Sequence, residues 1–118
     1  MILVDSSIWA NHFRAADAAL VQLLHDRQAG VHSFVVGELA AGNLKNRAQA
    51  LADFRALPHA QVATEDEVHR LLERHRFYGT GLSWIDLHLL TSAGLAGWKL
   101  WTADRALQQA CCSLKLDA

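Results

Sequence analysis

Two short apolar runs in this chain end in an acid, and nothing else constrains its fold as strongly. Ile2, Leu3 and Val4 run straight into Asp5, and Leu100 and Trp101 lead through Thr102 to Asp104. Runs this short, set between stretches of helical spacing, read as strands of an α/β fold with a mostly parallel sheet. The carboxyl ends of parallel strands lie together, and sites form beyond them. Asp5 and Asp104 are expected there, side by side.

The spans between the acids set the remaining expectations. Asp17 caps a helix carrying Leu20, Leu23, Leu24 and Arg27. "GVHSF" reads as a second strand, and "FVVGELAAG" as a helix that stops near Gly42 and Asn43. Arg47 to Leu57 reads as a helix with Leu51 and Phe54 inward, ended by Pro58, which cannot continue it. "AQVAT" reads as a third strand, followed by a Thr64–Glu67 capping box and a helix whose one face holds Val68, Leu71, Leu72 and His75. After the glycine loop "GTGLS" comes a long helix from Trp84 to about Ala96, then "WKLWT" as a fourth strand. Asp104 opens a short helix, and "SLKLD" is a candidate last edge strand. No linker or repeat divides the 118 residues, so residues 1–118 are expected to form a single domain.

Composition narrows the function. Hydrophobic residues make up 52% of the chain, enough for a core. The net charge of −1 supplies no global basic field, so a polyanionic partner needs a local patch or a metal. Cys111 and Cys112 are adjacent and cannot form a stapling framework, which fits reduced thiols in a cytoplasm. Three apolar residues between Met1 and Asp5, without a basic flank, do not make an ordinary signal peptide. No apolar run approaches the length of a membrane span.

Each acid has an ordinary reading. Asp5 alone suits a turn or cap, Asp104 the cap of the helix in "TADRAL", and Asp86 the capping-box partner of Ser83 in "SWID". Glu38 is the exception, the only charge in "SFVVGELAAG". It shares a helical face with Phe34, Val35, Ala41 and Gly42, and no Lys or Arg lies four residues away on either side. A carboxylate on an apolar face needs a partner, from elsewhere in the fold or as an ion. Glu65, Asp66 and Glu67 cluster more tightly, but in the first turn of a helix, where acids favour the dipole. The seven histidines show no zinc spacing. Three or four carboxylates gathered without a cation raise one another's pKa values, and a hard divalent cation with oxygen ligands removes that cost.

In series, "ILVDSSIW", "VVGELAAG", "GLSWIDLHLL" and "LWTADRAL" resemble the PIN-domain ribonucleases, most closely the VapC-type toxins of bacterial toxin–antitoxin pairs. The resemblance covers nearly the whole chain, with "QQACCSLKLDA" a weak match to the usual ending. It implies a metal-dependent endoribonuclease whose acids bind Mg²⁺ or Mn²⁺. By motif, the metal-site positions are Asp5, Glu38, Asp86 and Asp104, with Ser6 and Thr102 as supporting hydroxyls. It also implies an RNA substrate, a homodimer, and a small antitoxin in a hetero-oligomer. The rivals are a receiver-like module or an idle PIN-like scaffold that binds without cutting. A receiver-like domain wants paired acids after the first strand, and a haloacid-dehalogenase-like phosphatase wants Asp-x-Asp there. Ser7 stands in that second position. Lys45 with Arg47, and the basic-aromatic "RHRFY", are the visible spots for RNA contact.

Overall fold

The computed structural model describes all 118 residues. The order is β1 (Ile2–Val4), α1 (Ser6–Arg14), α2 (Ala18–His25), β2 (Ala29–Gly30), α3 (Ser33–Ala41), α4 (Arg47–Ala56), α5 (Glu65–Arg74), α6 (Trp84–Ala96), β3 (Lys99–Trp101) and α7 (Arg105–Ser113). The sheet has three strands in the order β2-β1-β3, and both pairings are parallel. Ile2 and Leu3 face Ala29 and Gly30 on one side, and Ile2 to Val4 face Lys99 to Trp101 on the other. All strands therefore point their carboxyl ends the same way, and the ladder runs one bond further, from the Asp5 amide to the Trp101 carbonyl at 3.0 Å.

Leu3, Val4 and Leu100 are buried in the sheet, covered by Ile8, Trp9, Leu20, Val35, Leu89, Leu90 and Leu107 from the helices. From Leu87 to Ala93, α6 is buried on every side, as expected of a helix apolar all round. It starts in the Ser83–Asp86 capping box and ends at Gly97, whose φ of 70° suits a residue without a Cβ. No helix is long and apolar enough to cross a membrane.

Several expectations are corrected. After Asp5 the chain enters α1 at once, a helix absent from the elements expected. The second strand is Ala29–Gly30. Val31 makes one bridge to His59, and the His32 ring caps α3, so Ser33 and Phe34 are already helical. "AQVAT" forms no strand. Its buried residues, Ala60 and Ala63, are three apart rather than alternating, and Val62 is exposed. "SLKLD" contributes a single bridge at Asp117, because Lys115 turns into the left-handed region with φ of 58°. His75 lies past the end of α5, exposed and stacked on Phe77 with ring centres 5.5 Å apart.

Candidate metal centre

Asp5, Glu38, Asp86 and Asp104 line one cleft of about 410 Å³, together with Ser6 and Ser7. No Lys or Arg lines it. Parallel pairing sets Asp5, after β1, beside the segment after β3 that carries Thr102 and Asp104. Glu38 arrives from α3, which follows β2, and Asp86 from the first turn of α6.

Asp5 is the fixed point. It sits at the N-cap of α1 yet makes no capping bond, being only 6% exposed. Its Oδ2 instead accepts from Ser7 Oγ at 2.7 Å and from Thr102 Oγ1 at 2.8 Å. Ser7 Oγ also accepts the Ala103 amide at 3.0 Å, and Thr102 Oγ1 accepts the Asp104 amide at 3.0 Å. These two hydroxyls tie β1 and α1 to the turn after β3. Ser6 is placed differently, with its Oγ 3.5 Å from Asp5 Oδ1.

Asp86 and Asp104 divide their oxygens between structure and cleft. Asp86 Oδ2 accepts the Ser83 amide at 2.9 Å while Ser83 Oγ accepts the Asp86 amide at 3.1 Å, a complete capping box. Asp104 Oδ1 accepts the Leu107 amide at 2.9 Å as the cap of α7. Their ordinary readings as caps therefore hold, and each has a second oxygen not used in capping. Glu38 is not buried on an apolar face as its neighbours in sequence suggested. Val35 and Leu39 form the buried stripe of α3, and Glu38 stands exposed beside it on the cleft.

The charges act on one another. Loss of water pushes the Glu38 carboxyl above the usual carboxylate range, and Asp5 and Asp86 add to the rise against the Ser6 hydroxyl. Partial burial also raises Asp86, its bonds with Ser83 oppose this, and Asp104 and Asp5 push it further up. As the side chains stand, no three His, Cys, Asp or Glu residues are arranged to close on a metal ion. The donor set is nonetheless oxygen-only, anionic and without a cation, which is the chemistry of a Mg²⁺ site that keeps several waters.

Two features escaped the sequence reading. Ser7 rather than Ser6 is the main hydroxyl on Asp5. Ser7 is the second residue of α1, and its role would have shown only if α1 had been expected. His32 is fully buried, accepting the Phe34 amide at Nδ1 (3.0 Å), with Nε2 3.1 Å from Ser92 Oγ. A neutral ring with its proton on Nε2 satisfies both contacts, and burial lowers the His32 pKa to about 4, helped by His88 and His59.

The chain belongs to the PIN-domain family, whose model matches residues 2–111. Within the family it is a VapC-type member. It is similar to Ribonuclease VapC32 of Mycobacterium tuberculosis, found in two strains, with 49% identity over 112 residues covering 94% of this chain and 90% of the relative. The fold is similar to the crystal structure of PAE2754 from Pyrobaculum aerophilum, with a TM-score of 0.64 at 20% identity, covering 92% of this chain and 82% of that one. At that identity the likeness speaks for the fold alone.

Proposed function

We propose that this protein is a metal-dependent endoribonuclease and the toxin of a type II toxin–antitoxin pair, acting in the cytoplasm. The observation that carries this reading is the cleft in which Asp5, Glu38, Asp86 and Asp104 stand together without a Lys or Arg. The 49% identity to a protein named as a ribonuclease supports the choice of RNA as substrate.

Asp5, Asp86 and Asp104 would hold the metal, directly or through water, and Mg²⁺ or Mn²⁺ suits their hard oxygens. A bound divalent cation supplies a water of lowered pKa and neutralises charge developing on the phosphodiester. Ser7 and Thr102 fix the orientation of Asp5 through Oδ2 and leave Oδ1 free of their bonds. Glu38, with its raised pKa, orients a water and can accept its proton at the carboxylate. The protein works as a homodimer and is held inactive by a small antitoxin, which supplies an Arg to the acid cleft. A guanidinium pairs with a carboxylate through two bonds and would occupy oxygens that would otherwise be open to a metal.

The test is RNA cleavage by purified protein with Mg²⁺ and with EDTA, read by sequencing the new RNA ends. Cleavage is expected only with the metal. Asp5→Asn, Asp86→Asn and Asp104→Asn should each remove most of it while leaving the fold intact. Full activity in all three variants refutes the site, and cleavage that persists in EDTA refutes the metal.

A further inference from the structure

A second groove, of about 580 Å³, opens beside the acid cleft. The two adjoin, with Ala10, Glu38 and Leu39 lining both. Their chemistry is opposite. Apart from the shared Glu38 the groove has no acid, and it carries Arg14 from the end of α1 and Lys45 from the loop between α3 and α4. The Arg14 guanidinium donates to Asn11 Oδ1, not to a carboxylate, and Lys45 is exposed. Phe13 also lines the groove, 48% exposed. Its ring is backed by Trp9 at 6.3 Å and Phe54 at 6.1 Å between centres, which holds it in place as a stacking face.

We propose that this groove binds the single-stranded RNA leading into the acid cleft, with Arg14 and Lys45 on backbone phosphates and a base stacked on Phe13. The inference rests on the ribonuclease reading and deepens it. A cleft of four carboxylates repels the very phosphates it must receive, so the strand needs cations beside the acids. The groove that adjoins the cleft supplies two of them, Arg14 and Lys45. An aromatic face among cations is the usual platform for single strands, because any base can stack on it. The volume lies within the ~300–1,000 Å³ of ordinary ligand sites, and the apolar floor of Leu39 and Leu44 suits a base rather than a bare phosphate.

The probe is a fluorescein-labelled single-stranded RNA oligonucleotide of mixed sequence. Its binding is followed by anisotropy in Mg²⁺ across a salt series, in the Asp5→Asn background to prevent cleavage. Arg14→Gln and Lys45→Gln are each expected to weaken binding and to flatten the plot of log affinity against log salt by about 0.7, the share of one phosphate left without its cation. Phe13→Leu, which keeps apolar bulk over Trp9 and Phe54, should weaken binding at least about fivefold with the slope unchanged. Phe13→Trp should restore it. In the cleaving protein these substitutions should raise KM and leave kcat nearly level. Arg70→Gln, on the exposed face of α5 and outside the groove, is the control that should leave the slope unchanged. If the parent cuts the RNA and the groove variants match it in slope and KM, the groove assignment fails and the nuclease reading stands. If the parent neither binds nor cuts, the nuclease reading fails and takes the groove with it. If the variants keep RNA but lose a co-expressed small protein partner, the groove is a protein site and the assignment is overturned.

Discussion

Thr102 donates its hydroxyl proton to Asp5 Oδ2 at 2.8 Å across 97 positions of sequence. Parallel pairing of β1 with β3 makes this possible, since Val4 and Trp101 are in register and the next residues of both strands leave the sheet together. The central acid is thus oriented from two elements, by Thr102 after β3 and by Ser7 within α1.

The two hydroxyls beside Asp5 should differ in weight. Ser7→Ala removes a donor to Asp5 and the acceptor of the Ala103 amide. We expect a loss of about 10–100-fold in activity or metal affinity, the usual effect of removing a ligand's supporting bond. Ser6→Ala, whose hydroxyl is 3.5 Å from Asp5, should cost less. Cleavage rates across a Mg²⁺ titration measure both, and equal losses would place Ser6 on a par with Ser7.

Removing a charge from the cleft should not harm the metal-free fold. Asn caps a helix as well as Asp does, so Asp104→Asn keeps the bond to the Leu107 amide while removing a charge that raises Asp86. Melting in EDTA should show equal or higher stability for the variant. Mg²⁺ should then raise the Tm of the parent more than that of the variant, because binding to the native state adds stability. A clear drop in EDTA would mean that Asp104 serves only as a cap.

His32 should make the fold sensitive to acid. Its native pKa of about 4 lies below the 6.5 of the unfolded chain. Its contribution is therefore complete above about pH 6.5 and is lost as pH falls toward 4, by roughly 3 kcal/mol in all. Glu38 and Asp86 act in the opposite sense, since raised carboxyl groups weaken the fold as pH rises through their titration. His32→Asn keeps a capping acceptor for the Phe34 amide and has no titration. It should lower Tm at pH 7 through poorer packing, yet flatten the decline between pH 6.5 and 4. An unchanged decline would assign the acid sensitivity elsewhere.

Gly30 should tolerate no side chain. A Cβ there would run into the six-membered ring of Trp98, nearest Cζ3. Gly30→Ala should cost about 1–3 kcal/mol through overpacking, read as a lower Tm. Combining it with Trp98→Leu should cost less than the two changes added together. Additive losses would mean that the ring moves aside freely.

A small open reading frame beside the gene for this chain should encode its inhibitor. Co-expression should yield a complex that survives purification and cuts RNA poorly, and an Arg→Ala change in the partner should restore cleavage. A neighbour that neither binds nor inhibits would end the toxin–antitoxin reading while the nuclease assay stands.

The residues that gather in the cleft were legible because each carries a local signal: an apolar run broken by Asp5, a charge alone in α3, and capping patterns at Asp86 and Asp104. The same signals permitted ordinary readings, and two of those are also true, since Asp86 and Asp104 do cap helices. Helix α1 was hidden because its N-cap Asp5 makes no capping bond, its carboxylate being held by Ser7 and Thr102 instead. The start of α3 was hidden because a His ring replaces the usual hydroxyl or carboxylate cap. The edge segments were overread because alternating polarity alone cannot foresee a left-handed Lys115. Glu38 was placed on the right element but the wrong surface, because one position along a helix separates the buried stripe from the cleft wall.

The central strand β1 is the first element of the chain, and β3, which pairs with it, is nearly the last. A chain emerging from the ribosome therefore presents Asp5 long before it has Thr102 to orient it or Asp104 to stand opposite. Until those residues arrive, β1 has no neighbour on that side and the cleft has no far wall. The four acids can therefore stand together only after β3 has been made and has paired with β1.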